Sequence, residues 1–128
     1  MDEAIRCTSE HEWVRVEEGL AIVGLTDYAQ SELGDIVYVE LPEVGARFEK
    51  GEVFGTVESV KSVSDVYCPV SGEVKEVNEE LEAHPELINQ DPYHQGWIIK
   101  LDMDDPSEMD DLMTDAEYEE FISGGVEE

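Results

Sequence analysis

Positive charge is scarce in this chain. Seven Lys and Arg stand against 34 Asp and Glu over 128 residues, a formal net charge of −27. A protein that binds nucleic acid by neutralising phosphates needs a basic surface, and one that holds an anionic membrane through charge needs a polybasic segment. The composition excludes both. Long apolar runs are missing too: the longest is roughly five residues around Ala21–Leu25, far short of a bilayer span. The opening stretch, MDEAIRCTSE, has neither an apolar signal core nor an Arg-rich amphipathic pattern, so a cytoplasmic location is expected. Cysteine is limited to Cys7 and Cys68, 61 positions apart with no CxxC and no metal-ligand spacing. In a chain without an export signal these are expected to be two reduced thiols.

Enough apolar material is present to fold. Leu, Ile, Val and Phe together number 33 of the 128 residues, above the level of disordered chains with comparable charge. Fifteen of these are Val, whose β-branched side chain suits a pleated surface. The acids run through the whole length, and residues 101–128 hold twelve of them with no Lys or Arg. Repulsion among so many like charges weakens the compact state unless salt screens it, which leads us to expect a salt-rich cytoplasm and a halophilic prokaryote as the source.

Glu12–Val16 alternates polar and apolar residues, and a Glu-Glu-Gly turn leads to Leu20–Leu25, together a hairpin. Thr26-Asp27 offers an N-cap and Gly34 a stop, so Tyr28–Leu33 reads as a two-turn helix. Ile36–Leu41 is strand-like and ends at Pro42, and turns then surround a short strand at Arg47–Glu49. Strands dominate from Val53 to Val77, Asn78–Asp91 is irregular or briefly helical, and Trp97–Met103 is the last strand. Two short helices follow. Met109, Leu112 and Met113 give the first an apolar stripe, and Tyr118, Phe121 and Ile122 the second. A Thr114/Glu117 capping box separates them, and Gly124-Gly125 ends the second. The fold is mainly β, a sandwich or small barrel in a single domain spanning 1–128, with its core at about 10–103 and an acidic helical cap at about 106–124.

Enzyme motifs are missing: no HExxH, GxSxG, P-loop or GxGxxG, and no metal-ligand spacing among His11, His84 and His94. One segment stands out, GTVESVKSVSDVYCPVSGEV, Gly55–Val74. Its valines at 57, 60, 63 and 66 follow a period of three that fits neither strand nor helix. Two strands, Val53–Ser59 and Val63–Tyr67, joined by a bend at Val60-Lys61-Ser62, account for it. Lys61 is then a lone amine at the tip of a stiff ribbon.

The blocks HEWVRVEEGLAIVGLTDYAQSELGDIVYVELPEVG, GTVESVKSVSDVYCPVSGEVKEVNEEL and PELINQDPYHQGWIIKL resemble the H proteins of the glycine cleavage system, in that family's order and spacing, over roughly residues 10–122. The resemblance implies a lipoyl-carrier fold, a flattened barrel-sandwich hybrid shared with biotinyl carriers, with lipoic acid in amide linkage on Lys61. It implies that Glu58 and Gly72 serve recognition by a lipoate ligase or lipoyl transferase. It also implies that Glu12 and Asp65 shelter the aminomethyl-loaded arm, whose cationic amine carboxylates can hold. The implied partners are glycine decarboxylase (P protein), aminomethyltransferase (T protein) and dihydrolipoyl dehydrogenase (L protein). The chain itself would be a shuttle that catalyses no step. Biotin carriers resemble this fold but flank the lysine with Met, whereas Val60 and Ser62 flank Lys61. The same lysine hairpin would also suit a lipoyl domain of a 2-oxo-acid dehydrogenase, or a relative that only relays lipoate between proteins or scaffolds an assembly. Cys68 departs from the family's small residue, which leaves mixed-disulfide chemistry with the lipoyl ring open.

Overall fold

The computed structural model describes residues 5–123. Among these residues nine strands pair antiparallel in two sheets. The larger has six strands in the order β1-β2-β3-β9-β8-β5 and the smaller three in the order β4-β6-β7. The strands are β1 Arg6–Cys7, β2 Glu12–Glu17, β3 Leu20–Leu25, β4 Ile36–Glu40, β5 Arg47–Phe48, β6 Val53–Ser59, β7 Val63–Tyr67, β8 Gly72–Val77 and β9 Ile99–Met103. Helices α1 (Asp27–Leu33), α2 (Glu80–Ala83), α3 (Leu87–Gln90) and α4 (Asp115–Ser123) fill the connections and the C-terminal end. The two sheets face each other as a sandwich, and no closed barrel forms among the described residues.

One core lies between the sheets. Val14, Val23 and Leu101 from the larger sheet bury with Val39, Val57 and Val66 from the smaller one. A second cluster, Ile5, Cys7, Trp13, Ile22 and Tyr118, lies on the opposite face of β1–β3 under α4. Because β3 is covered on both faces, it reads as a near-continuous apolar run, LAIVGL, rather than an alternation. Gly24 sits beneath the Trp13 indole, where a Cβ would fall 2.7 Å from the ring. Trp13 itself is fixed by donating Nε1–H to the Pro92 carbonyl at 2.9 Å.

Local signals in the sequence match the elements. Thr26 caps α1 by accepting the Ala29 N–H at 3.1 Å, and Gly34 ends it in the left-handed region, φ 86°. The capping box forms as expected, with Glu117 N–H donating to Thr114 Oγ1 at 3.2 Å and Thr114 N–H donating to Glu117 Oε1 at 2.9 Å. The structure changes one reading and adds one strand. The first tail helix is a 3-10 helix over Pro106–Asp111 that ends before Leu112 and Met113. Met113 instead exchanges two backbone hydrogen bonds with Cys7, each 2.9 Å, so the chain must extend there. Strand β1 has only two residues and owes its place to that bridge and to β2, not to any local pattern. Gly124-Gly125 lies outside the described residues.

Candidate functional site

Lys61 occupies the turn between β6 and β7. Here the bend lacks the Asn-Gly or Asp-Gly of a tight hairpin, and a serine supplies the geometry instead. The Ser59 hydroxyl oxygen accepts the backbone N–H of Lys61 at 3.2 Å and of Ser62 at 3.1 Å. Ser59 N–H closes the loop on the Ser62 carbonyl at 2.8 Å. A further backbone bond, Val60 N–H to the Asp35 carbonyl at 3.0 Å, ties the tip to the loop after α1. The tip is therefore rigid while the Lys61 side chain is exposed, and its ammonium makes no ion pair among the described residues. The side chain passes the end of α1, where a Cβ on Gly34 would lie 3.7 Å from Lys61 Cε.

Beside the hairpin is a cavity of about 270 Å³ whose walls include Glu10, His11, Tyr28, Glu32, Ser64 and Asp65, with Leu25, Ala29 and Leu33 as its apolar part. It offers three carboxylates and an aliphatic lining, and two of its residues, Ser64 and Asp65, lie on β7 within a few positions of Lys61. His11 is held below the ordinary imidazole range, chiefly by burial, against the opposing pull of Glu10 and Glu32. It adopts a positive φ of 74°, uncommon for a residue other than glycine. Its Nδ1 lies 2.8 Å from the Tyr118 hydroxyl, which also lies 2.8 Å from Thr26 Oγ1. Tyr118 in α4 thereby links the cap of α1 to the cavity wall.

The candidate residues are not gathered in one place. Asp65 is exposed and lines this smaller cavity. Glu12 is 1% exposed and lines a second, larger cavity of about 590 Å³, together with Tyr67, Cys7 and Cys68. Glu10 borders both. Both Glu12 oxygens are engaged: Thr8 Oγ1–H donates at 2.6 Å and the Tyr67 N–H at 3.0 Å. Burial nevertheless dominates and pushes its carboxyl up to about 7.

Glu58 is exposed on the outer face of the smaller sheet, opposite Tyr38 on one side and Val63 on the other. Gly72 is different. It is buried at the start of β8, and a Cβ there would meet the Asp102 carbonyl oxygen at 2.5 Å. Its lack of a side chain serves β8–β9 contact, and this position offers an enzyme no exposed group to recognise. Both cysteines are buried, and burial pushes each thiol up to about 12. A thiol so far from ionising is a poor nucleophile, and this removes the expectation of disulfide exchange with an arm on Lys61. Glu10, His11, Glu32, Ser64 and Tyr118 escape a reading of the sequence as site residues. Only His11 and Ser64 lie beside residues that such a reading singles out, and no sequence pattern signals a cross-chain hydroxyl bridge.

An exposed lysine on a serine-braced tip beside an acidic, partly aliphatic cavity suits a neutral aliphatic arm with a cationic cargo. Among the described residues no group of His, Cys, Asp and Glu could hold a metal ion, and no helix is long and apolar enough to cross a membrane. The sequence model of the glycine cleavage H-protein family matches residues 5–124. The chain is similar to the glycine cleavage system H protein of Symbiobacterium thermophilum, 56% identical over 121 residues covering 94% of each chain. To that of Geobacillus kaustophilus it is 57% identical over 121 residues, covering 94% of this chain and 95% of the other. A crystal structure of a glycine cleavage system H protein from Mycobacterium marinum superposes with a TM-score of 0.83 at 36% identity, covering 92% of this chain and 95% of that one. This chain belongs to the glycine cleavage H-protein family.

Proposed function

We propose that the chain is the lipoyl-carrying shuttle of the glycine cleavage system, with lipoic acid in amide linkage on Lys61, and that it catalyses no step alone. The observation that carries this reading is the Lys61 tip, exposed and held by Ser59 next to the acid-walled cavity. When bound, the lipoyl group supplies a disulfide ring at the end of a neutral arm, to which the aminomethyl group of glycine is attached. Lys61 fixes where that arm begins. Leu25, Ala29 and Leu33 give its aliphatic length an apolar surface, and Asp65 holds a cationic end by charge-assisted hydrogen bonding. Glu12 lines the larger cavity, which Glu10 also borders. A cation drawn toward it favours its ionised form, so binding and ionisation reinforce one another. His11, kept neutral by burial, adds no competing positive charge to the wall.

The partners on this reading are glycine decarboxylase, aminomethyltransferase, dihydrolipoyl dehydrogenase and a lipoate ligase or lipoyl transferase, all met in the cytoplasm. A halophilic source fits the net charge of −27. Peptide mass spectrometry of the protein from its own host tests the central claim. A lipoyl adduct is expected on Lys61 alone, not on Lys50, Lys75 or Lys100. Lys61→Arg should abolish glycine cleavage while leaving the circular dichroism spectrum unchanged. An adduct elsewhere, or retained activity, overturns the assignment.

A further inference from the structure

Asn89 lines no part of the cavity beside Lys61, yet it is tied to the Lys61 tip. It is half-buried in α3 and spends both ends of its side-chain amide on α1 and the loop that follows. Its Nδ2 donates to Gln30 Oε1 and to the Gly34 carbonyl, each at 2.9 Å, and its Oδ1 accepts the Ile36 N–H at 2.8 Å. The last of these bonds reaches furthest. The Ile36 N–H and the Asp35 carbonyl belong to one peptide unit, and across a trans peptide they point to opposite sides. On its far side the Asp35 carbonyl accepts the Val60 N–H at 3.0 Å. One peptide plane thus joins Asn89 to the residue before Lys61. Hydrogen bonds in such a series polarise and strengthen one another.

We propose that Asn89 is the positioning residue of the Lys61 tip, fixing the direction in which an arm on Lys61 sets out along the wall that α1 gives the cavity. The inference rests on the carrier reading above. Ser59 shapes the bend from within, since its hydroxyl bonds run to Lys61 and Ser62 of the same hairpin. Those bonds leave open where the bend points. The Asp35 carbonyl supplies that, by holding Val60 against the loop after α1. Asp35 is exposed, so its peptide unit keeps its orientation only while something grips the other side, and Asn89 does so. The same side chain grips Gln30 and Gly34, and the helix they belong to or end is the one whose Tyr28, Ala29, Glu32 and Leu33 line the cavity. The base of the arm and the wall it follows are therefore held in register by one residue. Over the length of a lysine and a lipoyl chain, a small change of angle at the base becomes a large displacement of the loaded end.

Three full-length variants test this. Asn89→Ala removes all three bonds, and Asn89→Asp keeps an acceptor for the Ile36 N–H. Asn78→Ala is the control, because Asn78 Nδ2 also donates to two backbone carbonyls, but those of Gln95 and Trp97. Amide hydrogen exchange is followed first, on unmodified chains. The Val60 N–H should exchange about tenfold faster in Asn89→Ala than in wild type, as for an opened backbone hydrogen bond. Lipoylated chains are then loaded through glycine decarboxylase, and ammonia release is timed with no transferase present. Release should be several-fold faster in Asn89→Ala. Asn89→Asp should stay near wild type on both measures, and Asn78→Ala should match wild type on both. A wild-type value of either measure in Asn89→Ala overturns the proposal. So does Asn89→Asp as fast as Asn89→Ala, which removes the route through the Ile36 peptide, or an equal acceleration in Asn78→Ala, which reduces the effect to lost stability. If the wild-type chain takes no lipoyl group on Lys61, the carrier reading fails and the arm with it, whereas Val60 exchange in the unmodified chain still decides whether Asn89 holds the tip.

Discussion

The Glu12 carboxylate accepts the backbone N–H of Tyr67 at 3.0 Å and so pins the end of β7 to the start of β2. These residues lie 55 positions apart, and the bond joins the larger sheet to the strand that carries the cavity residues Ser64 and Asp65. A buried carboxylate at this junction gives the link a dependence on pH.

Glu12 should make stability fall as pH rises. Its carboxyl is raised from 4.5 to about 7 in the folded chain, so between those values the folded state holds a proton the unfolded state has lost. The stabilisation is present in full below about pH 4.5 and is lost as pH climbs through 7. Glu12→Gln should remove this component. The difference between the urea unfolding free energies of variant and wild type should shift by on the order of 2–3 kcal/mol from pH 4.5 to pH 8. A difference that does not change with pH would show that Glu12 titrates normally.

Gly72→Ala should destabilise the fold by about 1–3 kcal/mol, because its methyl would push on the Asp102 carbonyl between β8 and β9. Thermal unfolding measures the loss. Lipoylation of the folded fraction should proceed at the wild-type rate, since the residue is buried and offers an enzyme no side chain.

Removing the hydroxyl in Tyr118→Phe should cost about 1–3 kcal/mol and should also move His11. Its ring, now without the partner 2.8 Å away, should titrate at a different pH in the nuclear magnetic resonance spectrum. A change in stability alone, with His11 unmoved, would reduce Tyr118 to packing.

Asp65→Asn should leave lipoylation intact but hasten loss of the aminomethyl cargo, timed as ammonia release from loaded chain with no transferase present. Several-fold faster release is expected from losing one charge-assisted contact. Release at the wild-type rate would place Asp65 outside the shelter.

Salt should stabilise the chain. Six Lys or Arg ion pairs among the described residues, most of them exposed, contribute little, whereas repulsion at a net charge of −27 is long-ranged until the Debye length shrinks from about 10 Å at 0.1 M to about 3 Å at 1 M. The unfolding midpoint should rise from 0.1 M to about 3 M KCl. A flat response would separate the acidity from any adaptation to salt.

Most strands are legible in the sequence because their cues are local. Glu12–Val16 alternates, Pro42 stops β4, and Thr26 and Gly34 bracket α1. Lys61 is legible because valines at a period of three leave a bend as the best account, and the blocks that resemble H proteins give that bend a role. What escapes depends on distant partners. Arg6-Cys7 becomes a strand only beside Val14 and Met113. Leu112 and Met113 carry a helical stripe, yet Met113 is claimed by Cys7. The cavity acids are hidden for a different reason: among 34 carboxylates, no spacing marks Glu10 or Glu32 as the pair that shares a cavity with Asp65.

The bridge between Cys7 and Met113 sets a timetable for synthesis. The Lys61 hairpin is local, its register complete once residue 67 has emerged. The larger sheet is not, because Ala21 must wait for Leu101, β1 for Met113, and His11 for Tyr118. At roughly 5–20 residues per second on the ribosome, the lysine is on display for seconds before the opposite wall of its cavity can be fastened. Met113 and Tyr118, made long after the hairpin, are therefore the residues that finish the oldest part of the chain.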